Sequence, residues 1–148
     1  MESVTTSLSL PATLESLAQL STALHNFVAP YAIAPSLLYQ VDLASCEALS
    51  NIIRHALQLD HQRYAEITLS YSPECLTLAL SDTGTPIPPE VLTATAKNLT
   101  LVPDPRISDS WPEGGMGLQL IYALMDNVQY RSEHGRNTLI LTRRLDAA

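Results

Sequence analysis

Glycine is scarce in this chain, five residues of 148, where average usage of roughly 7% would supply about ten. A sequence so sparing with its most permissive residue places it where the backbone turns sharply or lies close to something else. Cations are scarce too. Lys97 is the one lysine, and 8 basic side chains stand against 15 acidic ones for a net charge of −7. That balance excludes a broad nucleic-acid or anionic-membrane surface, since either needs clustered positive charge. Any phosphate held here therefore relies on backbone N–H groups, arginine or a metal. The two cysteines, Cys46 and Cys75, have no close pairing and no metal-ligand spacing. They exclude a disulfide scaffold, and reduced, mostly buried thiols are expected. No apolar run approaches membrane-spanning length and no basic-then-apolar leader opens the sequence, so a cytoplasmic protein with no membrane partner is expected.

What is present is a chain able to bury a core. Its apolar fraction is 46% and its charged fraction 16%, and the length suits one domain spanning 1–148. Val4, Leu8 and Leu10 alternate loosely with serines and threonines, as an edge strand does. Pro11 suits the first turn of a helix on which Leu14, Leu17, Leu20, Leu24, Phe27 and Val28 recur at helical spacing. Pro35 opens a second helix running to about Leu59. Ala65, Ile67, Leu69 and Tyr71, then Leu76, Leu78 and Leu80, alternate with polar residues in two strands joined at Ser72-Pro73-Glu74. A short helix near 89–97 leads into an aperiodic stretch, 98–113, which holds three prolines and the only tryptophan. A stretch of that kind inside a domain reads as a functional lid or a disordered segment. A helix over 117–126 and a hairpin turning at Glu133-His134-Gly135-Arg136 complete the order βααββ(α)αββ. Hairpins in place of steady β–α alternation predict an α/β two-layer sandwich: a mixed, mostly antiparallel sheet with helices on one face.

Three features carry chemistry. On the second helix, Glu47, Asn51, Arg54, His55 and Gln58 fall within a sector of about 100°, with Leu38, Val41, Ala48, Leu49, Ile52 and Ala56 opposite. Such a stripe is either a solvated face or one wall of a pocket. In the pocket reading, Glu47 takes a proton from an attacking hydroxyl and the Asn51 amide oxygen helps to hold a hard cation such as Mg²⁺. His55 is a further site residue or a hydrogen-bonded structural one. The second feature is Asp82, which shares the parity of Leu76, Leu78 and Leu80 and so points to the buried side at the strand's end. It either caps its own Asp-Thr-Gly turn or receives a donor such as the amine of adenine, with Gly84 leaving room for a flat base. The third is Gly114-Gly115-Met116-Gly117 running into helical spacing. Glycines at a helix N-terminus present free N–H groups to an anion. The absent Gly-Lys-Ser/Thr rules out a Walker loop.

In this order and spacing, Glu47-Ala-Leu-Ser-Asn51, Asp82-Thr-Gly84 and Gly114-Gly-Met-Gly117 resemble the ATP-binding domain shared by gyrase, a heat-shock chaperone, sensor histidine kinases and the MutL proteins. More narrowly, Glu47-x-x-x-Asn51-x-x-x-His55-Ala56, Gly-Met-Gly-Leu-Gln-Leu-Ile and the terminal Asn137-Thr138-Leu-Ile-Leu-Thr-Arg-Arg resemble the anti-sigma factor serine/threonine kinases. The resemblance implies ATP with Mg²⁺ and transfer of the γ-phosphate to a serine or threonine of a STAS-type anti-sigma-factor antagonist. A sigma factor is a second implied partner, and transcription would be regulated by partner switching. It implies Glu47 as general base, Asn51 as magnesium ligand, Asp82 as adenine reader and Gly84 as the base-adjacent glycine. Gly114, Gly115 and Gly117 stand on the phosphate side, and Thr138 near the adenine. Arg106 in the lid is a candidate phosphate contact. Sensor histidine kinases typically carry asparagine where Glu47 stands, which favours the serine/threonine kinases. Ile87 departs from the pattern, standing where many relatives place an aromatic. The competing functions are a non-catalytic ATP-binding module acting by protein contact, and an ATPase. The unpaired edge of the N-terminal strand offers a route to a homodimer.

Overall fold

A computed structural model describes residues 3–92 and 112–145, with backbone alone for 112–117. Most of the predicted lid, including Arg106, lies outside the described residues. Strand β1 (Val4–Pro11) leads to α1 (Glu15–Val28), a short helical turn (Ala29–Tyr31), α2 (Pro35–Asn51) and a π-helical turn (Ile52–Ala56). Strands β2 (Tyr64–Tyr71) and β3 (Cys75–Asp82), helix α3 (Pro112–Leu124), and strands β4 (Asn127–Glu133) and β5 (Arg136–Arg144) complete the order. Residues 89–92 are helical as well.

The strands form one sheet in the order β1-β2-β3-β5-β4. Every pairing in it is antiparallel, in line with the mostly antiparallel sheet expected and without its parallel part. Each neighbouring pair joins by a hairpin or runs in opposite directions across the helical insertions, so no parallel crossover arises. The β4–β5 hairpin turns through His134 and Gly135, with φ of 55° and 76°. These positive values suit the two-residue turns that match strand twist.

Alternation sorts the faces. Ala65, Ile67, Leu69, Leu76, Leu78, Leu80, Leu139 and Leu141 are buried and meet Leu20, Leu24, Val41, Leu49 and Ile53 from the helices in one core. The opposite face carries hydroxyls paired across strands, among them Thr5 with Ser70, Ser7 with Thr68 and Ser81 with Thr138. In α1 the buried residues Ser16, Leu20, Leu24 and Val28 recur every four positions, as one helical face must. Pro11 belongs to β1 and not to the helix: the bend follows it, where Ser16 Oγ donates to the Pro11 carbonyl at 2.7 Å. Among the described residues no helix is long and apolar enough to cross a membrane.

Candidate functional site

Strand β3 delivers a carboxylate to the inner face of the sheet. Asp82 is 5% exposed, and its Oδ1 accepts the Gly84 N–H and the Asn137 Nδ2 donor, both at 2.8 Å. Asn137 Nδ2 also reaches the Gly84 carbonyl at 2.9 Å. The turn-capping reading of Asp82 holds, and the residue also lines a cleft. The other oxygen has no bonding partner among the described residues. Burial pushes the Asp82 carboxyl above its ordinary range, against the opposing pull of the Asn137 and Gly84 donors and of Arg63 and Arg136.

Asn137 holds Asp82 and the Gly84 carbonyl, whereas motif position singled out its neighbour Thr138. Thr138 lies on the outer face, where its hydroxyl pairs with Ser81 Oγ at 3.0 Å, so it does not face the cleft. The register sets Asp82 opposite Asn137 and Ser81 opposite Thr138. The signal was available: Leu139 and Leu141 are core residues, so odd-numbered positions of β5 face inward and Asn137 shares their parity.

Gly84 also has a different task from the one expected. A Cβ there would lie 2.0 Å from the Ala56 carbonyl oxygen and 2.5 Å from its carbon. The space that the missing side chain leaves is filled by the end of the second helical segment, not by a base. The same carbonyl accepts the Thr85 N–H at 3.0 Å, so the Asp-Thr-Gly turn is sealed against helix backbone. The π-helical turn makes this contact available. The Leu57 N–H bonds back to the Ile52 carbonyl at 2.8 Å and the helix stops at Ala56, leaving that carbonyl free of the helical ladder. The helix thus ends earlier than Leu59, and Gln58 and Leu59 take left-handed φ values of 55° and 59°.

The polar stripe divides. Asn51 is 5% exposed and lines a narrow cleft with Ala48, Ile52, Ala56, Leu80 and Asp82. Ala48, Ile52 and Ala56, expected on the opposite side of the helix from Asn51, share this wall with it. Arg54 and Gln58 are exposed, while His55 and Glu47 are half-buried; neither of these two lines the narrow part of the cleft. Arg54 Nε donates to Ser50 Oγ at 3.1 Å. The α-helical rise of about 1.5 Å per residue places Glu47 about 13 Å along the axis from Ala56, with Asn51 between them. One helix therefore carries the amide and the carboxylate in file, leading away from Asp82.

Thr85, Ile87, Leu118, Tyr130 and Leu139 complete the lining. Tyr130 Oη accepts the Ile87 N–H at 2.9 Å. Tyr130 of β4 thus sets an aromatic side chain against Ile87 in the lining. Helix α3 begins at Pro112, earlier than position 117, because proline's fixed φ suits a first helical position. Gly114 and Gly115 therefore fall in its first turn, where N–H groups lack intrahelical acceptors, and Gly117 falls beyond it.

The Asn51 Nδ2 has no partner among the described residues, and neither does Gln119 Oε1 on α3. A buried amide left so is costly, so a ligand or ordered water suits the position. Among the described residues no group of three or more His, Cys, Asp or Glu could hold a metal. A cation held mainly by water and phosphate oxygens, as Mg²⁺ is, needs no such group.

Asp82 yields a prediction in which stability and binding part company. Because its pKa is raised in the folded chain, its contribution to stability is present below the unfolded value of roughly 4 and is lost as pH rises through the folded value. Asp82→Asn removes a buried charge at neutral pH and keeps an oxygen to accept from Gly84 and Asn137. Thermal melts of the unliganded variant are expected to match or exceed wild type at pH 7, with a flatter pH dependence above about pH 4. Nucleotide affinity should fall, because an amide donor then faces the base amine. A variant less stable than wild type at pH 7 and unchanged in affinity would remove Asp82 from the site.

Comparison with known proteins agrees with this geometry. The histidine kinase-like ATPase domain family matches residues 10–143. No curated protein sequence matches the chain. Among solved structures, the chain is similar to the RsbU and RsbW domains of Rv1364c from Mycobacterium tuberculosis, with 15% identity and a TM-score of 0.59. That match covers 96% of this chain and 32% of the mycobacterial one, so the chain spans about a third of that relative's length. It is similar also to the SiaB–SiaC complex from Pseudomonas aeruginosa, with 16% identity, a TM-score of 0.59, and coverage of 94% of this chain and 89% of that one. These likenesses are of fold. The family match over residues 10–143, most of the chain, makes this protein a member of the histidine kinase-like ATPase domain family.

Proposed function

We propose that this protein is an ATP-dependent protein serine/threonine kinase of the anti-sigma factor type, acting on a STAS-type antagonist protein and regulating transcription by switching partners. The observation that carries the reading is the shared wall of the cleft. Asp82 offers a buried carboxylate to the base, Asn51 follows along α2, and Glu47 stands one turn further on. In transfer, the acceptor hydroxyl oxygen bonds to the γ-phosphorus, the bond from that phosphorus to the bridging oxygen breaks, and ADP leaves with the electron pair. The hydroxyl proton goes to the Glu47 carboxylate.

Asn51 would hold Mg²⁺, which supplies charge neutralisation at the phosphates. Gly114 and Gly115 would direct first-turn N–H groups toward the phosphates, as the scarcity of cations requires. Gly117 and Arg106 are further phosphate-side candidates. The likeness to an RsbW domain and to the SiaB–SiaC complex supports a regulatory protein partner; a sigma factor as a second partner and a homodimer are further parts of the proposal. A location in the cytoplasm accords with such partners. The test is incubation with γ-labelled ATP, Mg²⁺ and a candidate antagonist domain. Label on a serine or threonine of the antagonist is expected. Tight ATP binding with no transfer to any such domain would leave a non-catalytic ATP-binding module as the function.

A further inference from the structure

Arg63 lies in the connection between the π-helical turn and β2, outside every set of residues given a part in the cleft. Its backbone is held at both ends: its N–H donates to the Asp60 carbonyl at 2.9 Å, and its carbonyl accepts the Ala12 N–H at 2.9 Å. Its guanidinium crosses to the Asp82-Thr83-Gly84 turn, where Nη2 donates to the Thr83 carbonyl at 2.8 Å and to Thr83 Oγ1 at 3.3 Å. On the other side of Gly84, the Thr85 N–H is held by the Ala56 carbonyl at 3.0 Å. The turn is therefore gripped on both flanks of its glycine, while Asn137 grips Asp82 and the Gly84 carbonyl from β5.

A carboxylate reads a base only if it stays where it is. Adenine presents an amine donor at the edge where guanine presents a carbonyl oxygen. A fixed carboxylate attracts the first and repels the second, whereas a carboxylate on a pivoting turn withdraws from the second at little cost. We propose that Arg63 is a positioning residue that sets selectivity for adenine over guanine by clamping Thr83 and so fixing Asp82. One guanidinium nitrogen, Nη2, bridges the carbonyl and the hydroxyl; lysine offers a point charge on a flexible stem, so its hold on the turn is looser. This inference rests on the adenine-nucleotide reading above.

The experiment is calorimetric titration of wild type, Arg63→Ala and Arg63→Lys with ATP and with GTP, each with Mg²⁺, beside thermal melts of all three. Wild type is expected to prefer ATP. The ATP-to-GTP preference should fall about tenfold in Arg63→Ala, the scale of one lost charge-assisted hydrogen bond. Arg63→Lys should lie between, and it carries the test if the alanine variant does not fold. Arg144→Ala, which removes an ion pair with Asp126 at the opposite end of β5, should leave the preference unchanged. If wild type prefers ATP and both Arg63 variants keep that preference, or lose affinity for the two nucleotides equally, the positioning role is overturned and the adenine reading stands. If wild type binds neither nucleotide, the adenine reading falls and this inference with it.

Discussion

Glu47→Ala is expected to lower phosphoryl transfer by about 10²- to 10⁴-fold, the usual contribution of a general base, while ATP affinity stays within about twofold of wild type, since uniform binding is untouched. The expectation follows from position. Glu47 does not line the narrow cleft where Asp82 and Asn51 meet, so its loss removes little that touches a bound nucleotide. It lies further along the helix, at the end where the phosphates of an extended nucleotide would reach. Glu47→Gln separates charge from shape, because it keeps the side-chain length and cannot take the proton. Single-turnover transfer from labelled ATP, read beside equilibrium binding, distinguishes the cases. Transfer that survives within tenfold in both variants would move the base elsewhere. A collapse of ATP affinity would make Glu47 a binding residue and weaken the kinase reading.

The second large effect concerns Gly84. Alanine there places a methyl 2.0 Å from the Ala56 oxygen and 2.5 Å from its carbon, and both atoms are backbone. No rotamer change relieves such a clash. Either the Asp82–Thr85 turn or the end of the π-helical segment must move, and the Thr85–Ala56 hydrogen bond is lost in the process. Overpacking of this kind costs about 3 kcal/mol, a large part of an ordinary domain's stability. It lowers the melting temperature by about 10 °C in a chain of this size. Nucleotide binding is expected to vanish even where the variant folds, since the same turn carries Asp82. Gly135→Asn is the matched control. Gly135 has φ +76° with nothing within 4 Å of an added Cβ, and asparagine accepts left-handed backbone at small cost, so this variant should melt within about 2 °C of wild type. Equal melting of Gly84→Ala and wild type by circular dichroism would contradict the packing argument.

These expectations draw on different depths of information. The five strands and the helices were legible because hydrophobic periodicity is a local property, and alternation at Leu76, Leu78 and Leu80 already implied that Asp82 faces inward. The same rule applied to Leu139 and Leu141 identifies Asn137; motif position pointed to Thr138, and parity in the sheet overrode it. Helix boundaries were less legible. The π-helical turn at Ile52–Ala56 adds a residue to one helical turn, and nothing in the side-chain pattern announces it. It stops the helix at Ala56, which joins the wall that Ala48, Asn51 and Ile52 already share through ordinary i, i+3 and i+4 spacing.

By itself, the sequence determined that this chain buries a two-layer α/β core, that with a single lysine it leaves any phosphate to backbone N–H groups, arginine or a metal, and that a carboxylate ends a strand on the buried side. Periodicity, charge balance and parity depend only on the order of residues along one chain. Which groups meet was decided by the tertiary structure. Gly84 was legible as a place of close approach, but only the packing of β3 against the end of α2 shows that the approaching group is the Ala56 carbonyl. Likewise Arg63 and Thr83 are twenty positions apart in sequence and fall in no common motif. Their contact exists because the turn before β2 and the turn after β3 lie at the same end of an antiparallel pair, and the register of that pair is a property of the folded sheet.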